Sequence, residues 1–128
     1  MERPGMVVDT SIFIEFLRAK DKAKTVLFQI PEIDHIYISS VTLYELLIGA
    51  NTPEKINDIK ILTEGLPVLT FNEDVASRAA KIYQQLRQQN KMIEFRDIFI
   101  AATCIVNDLP LKTLNLKHFE RIEGLSVV

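Results

Sequence analysis

Met6-Val7-Val8-Asp9-Thr10-Ser11-Ile12-Phe13-Ile14-Glu15-Phe16-Leu17-Arg18 is the stretch that sets the pattern for the whole chain. Three apolar residues with no polar break predict a short buried strand at 6–8. An acid closes it. Residues 11–18 then place Ile12, Phe16 and Leu17 at helical spacing. The same order, strand and then helix with no hairpin turn between, recurs downstream. A basic stretch at 20–24 leads into a helical segment that ends near Gln29. Residues 36–38 read as a strand, and 41–50 as a helix with Leu43, Leu46, Leu47 and Ala50 on one face. Thr52-Pro53 predicts an N-cap with proline at the first helical position, and Gly65 a stop. Residues 67–70 form the next strand. Asn72 caps a long helix over 73–89 that carries Val75, Ala79, Ile82, Tyr83 and Leu86, with Asn90 just past its end. An apolar helix at 96–106, a short strand at 109–113, a helical turn at 117–120 and a last strand at 125–128 complete the chain. The alternation predicts an α/β fold with a mainly parallel central sheet. Strands this apolar belong to a sheet covered on both faces.

Composition narrows the chemistry. A chain of 128 residues is one domain's worth, and 48% apolar with 25% charged residues is ordinary globular composition. The net charge of −2 excludes a strongly basic nucleic-acid coat, though not a local basic rim. The one cysteine, Cys104, lies in the apolar run IFIAATCIV and is expected to be a buried thiol, which suits a reducing compartment. Two histidines, His35 and His118, do not make a histidine-rich zinc site. Dinucleotide, Walker, HExxH and GxSxG patterns are absent. The longest uncharged apolar run, 98–106, is far short of the ~20 residues that a bilayer needs. MERPG lacks the apolar core of an export signal, so a cytoplasmic protein is expected, with residues 1–5 a loose extension of the domain.

In a parallel sheet the ligand crevice lies beyond the carboxyl ends of the strands. Asp9 follows the first strand there, Glu45 sits early in the helix after the second, and Asn115 comes two residues after the strand ending in Thr113. Asp97 enters from a helix start above the same edge. Three carboxylates this close do not stay ionised without compensation. A hard divalent cation, Mg²⁺ or Mn²⁺, compensates them, binds a phosphate oxygen and activates a water. One such ion would make the −2 chain neutral. Each residue also has a structural reading. Asp9 would be a helix N-cap. Thr42-x-x-Glu45 would be a capping box. Asp97 would complement a helix dipole, and Asn115 would be a turn residue. Spacing alone carries the argument to an acidic ligand site in an α/β domain.

Four segments resemble one family. Val7-Val8-Asp9-Thr10-Ser11 resembles the opening of a PIN domain, and Thr42–Ala50 resembles its second motif around Glu45. Arg96-Asp97-Ile98-Phe99-Ile100-Ala101-Ala102-Thr103 resembles the D-x-x-I-A-A motif. Thr113-Leu114-Asn115-Leu116-Lys117-His118-Phe119 resembles the closing segment, followed by Ile122-Glu123-Gly124-Leu125. Together they are similar to VapC-type toxins of type II toxin–antitoxin pairs. The resemblance spans residues 6–128. It implies a single PIN-like domain with an α/β/α sandwich, and an Mg²⁺- or Mn²⁺-dependent endoribonuclease acting on RNA such as tRNA. It also implies a homodimer and inhibition by a VapB-like antitoxin whose peptide fills the active-site groove. Asp9, Glu45 and Asp97 are then the metal ligands and Asn115 the fourth catalytic position, where many PIN domains carry aspartate. Glu94 and Glu120 are possible substitutes for that acid.

Thr10 and Ser11, at a helix start, and Arg96, Lys117 and Lys112 are expected near substrate phosphates. His118 is expected to pack beside Phe119, and Phe13, Tyr44 and the helix after Asn72 to supply an interface. Three other readings remain at this point. One is a catalytically weak or inactive PIN scaffold that binds metal or RNA. Another is a different acid-pocket enzyme, although Asp9-Thr10-Ser11 lacks the second acid of a haloacid-dehalogenase D-x-D and no receiver-type lysine set is present. The third is a pure interaction module.

Overall fold

The computed structural model describes residues 5–128. The extension expected at 1–5 lies outside them, except for Gly5, which already belongs to the first strand. In chain order the elements are β1 (Gly5–Val8), α1 (Thr10–Arg18), a 3₁₀ turn at Lys22–Lys24, α2 (Val26–Gln29), β2 (His35–Ser39), α3 (Ser40–Ile48) and α4 (Pro53–Thr63). They continue with β3 (Val68–Leu69), α5 (Glu73–Gln88), α6 (Phe95–Val106), β4 (Leu111–Lys112) and α7 (Leu116–Phe119).

The sheet order is β3-β2-β1-β4 and every pairing is parallel. The chain winds outward from β1 through β2 to β3, then crosses back to lay β4 on the other side of β1. The strand order therefore reverses at β1, and the crevice between the carboxyl ends of β1 and β4 is the place where such sheets bind ligands. The last strand expected at 125–128 reduces to a single parallel bridge between Leu111 and Val127.

The pleat of β1 divides the core. Val7 and Val8 are both fully buried, on opposite faces. Val7 packs with Val75, Ala79, Ile82 and Leu86 of α5, Ile98 of α6, and Phe119. Val8 packs with Ile12 and Phe13 of α1, Ile38, Leu46 of α3 and Ile59 of α4. This is the helix–sheet–helix sandwich. Phe13 is 0% exposed, which removes it from any interface. In α3 the apolar face is narrower than expected: Leu46 is buried, as is Ala50 just past the helix end, whereas Leu47 turns outward.

Local signals end the helices where the sequence places them. The side chains of Thr52 and Asn72 accept from Lys55 N and Val75 N as N-caps. Gly65 takes φ +77° after α4, and Asn90 takes φ +55° after α5, the left-handed geometry of a helix stop.

Candidate active site

Asp9 follows β1 with its backbone still tied to β4, its N–H donating to Lys112 O at 2.9 Å. Its carboxylate does not cap α1. Instead Oδ2 accepts from two hydroxyls, Ser11 Oγ at 2.7 Å and Thr113 Oγ1 at 2.8 Å. Each hydroxyl is itself oriented by a backbone donor beyond β4. Leu114 N–H donates to Ser11 Oγ (3.2 Å) and Asn115 N–H donates to Thr113 Oγ1 (2.9 Å). The reversal in strand order is thus stitched together at Asp9, which is 3% exposed. Thr113→Val keeps the shape and removes one donor. It is expected to cost about 1–2 kcal/mol of stability, read from urea denaturation midpoints.

Glu45 is held from two sides. The Thr10 hydroxyl donates to Oε1 at 2.9 Å, and Arg96 Nη1 donates to Oε2 at 2.8 Å. Thr10 Oγ1 also lies 2.9 Å from Thr42 Oγ1, which Ser39 Oγ reaches at 3.2 Å. A threonine has one proton to give, so the carboxylate takes that of Thr10 and the Thr42 hydroxyl supplies the other bond. The capping-box reading of Thr42 and Glu45 fails, because the cap of α3 is Ser39, which accepts from Thr42 N at 3.0 Å.

Asp97 lies in the first turn of α6 and is 5% exposed. Its Oδ2 is buried without a hydrogen-bond partner. His118 Nδ1 stands 3.2 Å away, within ion-pair range but not aligned as a hydrogen bond. Desolvation raises the Asp97 pKa, and Asp9 and Glu94 push the same way, while His118 and Arg96 only partly oppose them. Burial also drives the Cys104 thiol up to about 12, so it is the inert core group expected of it.

One cleft of about 220 Å³ gathers Asp9, Thr10, Ser11, Glu45, Arg96, Asp97 and Asn115. All four expected catalytic positions line it, yet the three acids do not converge on a point. Among the described residues, no three His, Cys, Asp or Glu side chains stand close enough to hold one ion. In this arrangement Glu45 is engaged by Arg96 and Thr10. The donor set fits a hard cation held by one or two carboxylates with water filling its remaining positions, which is the habit of Mg²⁺. The unpartnered Asp97 oxygen is the group such an ion would satisfy.

The residues expected near phosphates have partners within the protein or lie outside the cleft. The Thr10 and Ser11 hydroxyls serve carboxylates. Arg96 pairs with Glu45 and, through Nε, with Glu94 at 2.9 Å. Lys117 is exposed on α7 and Lys112 half-buried in β4, and neither lines the cleft. Glu94 is tied to Arg96, and Glu120 is an exposed residue after α7, so neither stands in for a fourth acid. Sequence reasoning missed Thr42 and Thr113 as supporting hydroxyls, and it placed His118 in packing rather than beside Asp97. The only local signal for His118 was its position three residues after Asn115, one turn along the same short helix.

Comparison with known proteins places the chain in a family. The PIN domain family matches residues 6–125. Ribonuclease VapC1 of Rickettsia felis is 34% identical over 131 residues, covering 97% of this chain and 95% of that protein. Ribonuclease VapC1 of Methanocaldococcus jannaschii is 29% identical over 128 residues, covering 98% and 88%. Among solved structures, VapBC-1 from nontypeable Haemophilus influenzae contains a chain 30% identical, with a TM-score of 0.83 and coverage of 97% and 96%. The chain therefore belongs to the PIN domain family, in its VapC ribonuclease branch.

Proposed function

We propose that this protein is a divalent-metal-dependent endoribonuclease and the toxin half of a VapBC-type pair, working in the cytoplasm. The observation that carries the catalytic reading is the unpartnered Asp97 oxygen in a cleft shared with Asp9 and Glu45. A buried carboxylate kept ionised without a partner is costly, and a cation removes the cost. When bound, Mg²⁺ or Mn²⁺ would supply charge for the phosphate and acidify a water. Asp9 and Asp97 would hold it directly and Glu45 would complete the site. Ser11 and Thr113 fix the rotamer of Asp9, and Thr10 fixes Glu45. Asn115, at the mouth of the cleft, offers an amide that orients without adding negative charge. The first backbone N–H groups of α1 remain to meet a phosphate of the RNA, whether structured or single-stranded, such as tRNA.

Two further surfaces fit the partners expected of such a toxin. A groove of about 390 Å³ runs beside α1, α3 and α4, and Ile14 and Glu45 line both it and the acidic cleft. A peptide lying against Leu17, Leu46 and Ile59 would enter the site directly, which is where we place the antitoxin segment. Structural relatives of this chain include VapBC complexes. A third cleft, which meets the acidic one at Glu45 and Arg96, exposes the apolar side chains of Val41, Tyr44, Ile48, Phe71 and Phe99, and Tyr44 and Ile48 are more than 60% exposed. Contiguous apolar surface of this kind favours a homodimer.

A second reading, a weak or inactive scaffold, is favoured by Asn115 and by the engagement of Glu45 with Arg96. Incubation of purified, antitoxin-free protein with total cellular RNA separates the two. We expect discrete fragments with Mn²⁺, none with EDTA, and none from a folded Asp9→Asn protein. No cleavage by the wild type would favour the scaffold, and cleavage that persists in EDTA and in Asp9→Asn would overturn the metal-dependent reading.

A further inference from the structure

Glu45 and Asp97 approach the same cleft in opposite states. Asp97 has a buried oxygen that accepts no hydrogen bond and has only the His118 ring nitrogen near it, at 3.2 Å. Glu45 has both oxygens taken, one by Thr10 and the other by Arg96. Arg96 is reached across 51 residues of sequence, so its place is set by the fold rather than by helix periodicity. It is also gripped from the far side: Nη1 meets Glu45 while Nε meets Glu94. The guanidinium thus stands between a mostly buried acid and an exposed one, with side-chain exposures of 13% and 66%. A mostly buried carboxylate needs a cation beside it, and here the chain supplies its own.

We infer that Arg96 is a built-in counter-ion for Glu45, which holds that carboxylate in the metal-free protein and yields it when a divalent cation enters, so that Arg96 sets the cation affinity of the site. The inference rests on the metal-dependent reading proposed above. The exchange is feasible because the Arg96 side chain is half exposed, and a pair open to water on one side is worth little net. Glu94 keeps the released guanidinium at the rim instead of letting it drift away. Arg96 is accordingly a positioning residue that acts through Glu45. Its single positive charge stays near any ion that sits between Glu45 and Asp97, and so opposes that ion even after the hydrogen bond is broken.

Titration of the whole chain with Mn²⁺, followed by calorimetry or by the loss of the free-ion electron paramagnetic signal, tests this without any reaction. Arg96→Gln is expected to bind Mn²⁺ about tenfold more tightly than the wild type, the scale of removing one charge beside a divalent ion in water-rich surroundings. Arg96→Lys, which keeps the charge, is expected to stay within a few-fold of the wild type. Arg96→Met, which keeps the aliphatic stem, is a second neutral variant should glutamine disturb the fold, and melting curves confirm folding of each. Unchanged or weaker Mn²⁺ binding by the neutral variants overturns the inference, and weaker binding would mean that Arg96 orients Glu45 for the ion. Tightening by Arg96→Lys equal to that of Arg96→Gln would also overturn it, since charge would then not be the cause. Binding by none of the proteins would overturn the metal reading itself together with this one.

Discussion

An Asp97→Asn protein is expected to melt higher than the wild type and to cleave RNA at least about 100-fold more slowly. Both effects come from one oxygen. In the wild type, Asp97 Oδ2 is buried without a hydrogen-bond partner, and its ionised form is opposed by desolvation and by the charge of Asp9. Asparagine removes that charge and keeps the volume. Unsatisfied buried groups cost about 1–3 kcal/mol, so the gain is expected at about 1 kcal/mol, since an amide still needs partners. The sign with pH follows. A carboxyl whose pKa is raised by folding destabilises the fold when ionised. The penalty is absent below its ordinary value of 3.8 and grows as pH rises through that value to the folded one. The stability advantage of the variant should therefore be full only above the raised folded pKa and shrink as pH falls toward 3.8. The loss of cleavage follows from removing a charge aimed at the reacting centre. Melting curves at two pH values and a single-turnover RNA assay measure the three quantities. A variant less stable than the wild type would show that His118 satisfies Asp97 in solution. Undiminished cleavage would remove Asp97 from the machinery.

Phe13→Ala is expected to be the most destabilising single change in α1. Phe13 is completely buried among Val8, Ile12, Ile38 and Leu46. Truncating a buried phenylalanine typically costs about 3–5 kcal/mol, from lost transfer energy and from the cavity left behind. Set against a total stability of ~5–15 kcal/mol, that is a melting point lower by roughly 10–20 °C. The consequence extends to the site, because α1 begins with Thr10 and Ser11, whose hydroxyls hold Glu45 and Asp9. Urea denaturation gives the energy. A loss below about 1 kcal/mol would mean that the helix repacks around the gap.

These residues also mark how far the sequence could be read. Periodicity and capping are local, and local features were legible. The strand-helix alternation, the Thr52 and Asn72 caps, the Gly65 stop and the parallel sheet all stand as expected. So does the gathering of Asp9, Glu45, Asp97 and Asn115 in one cleft, because parallel topology brings Asp9, Glu45 and Asn115 to one edge and the first turn of α6 adds Asp97. Phe13 and Leu47 were misplaced for a common reason. In α1 and α3 hydrophobic residues are not confined to one side, so spacing does not say which of them are covered. The pairs that decide the electrostatics were not legible at all. Glu45 with Arg96, Asp9 with Thr113 and Asp97 with His118 join segments far apart in the chain. No spacing rule encodes which polar side chains meet across a crevice. Nor does sequence proximity fix direction in space: Glu94, a candidate substitute for a fourth acid, turns to Arg96, and Glu120 is exposed.

The division of Val7 and Val8 between two cores also has a consequence for Asp9. Successive strand residues face opposite ways, so the side that Asp9 presents to the crevice follows from the two valines before it. Each valine is locked by a different set of helices. The carboxylate is therefore indexed twice, once by each half of the protein. An insertion within β1 would exchange the two valines between cores and turn the acid away in the same step. A lineage descended from this sequence can drift at many loop positions, but the length of chain leading into Asp9 is not among its freedoms. Packing there would punish a slip as severely as catalysis would.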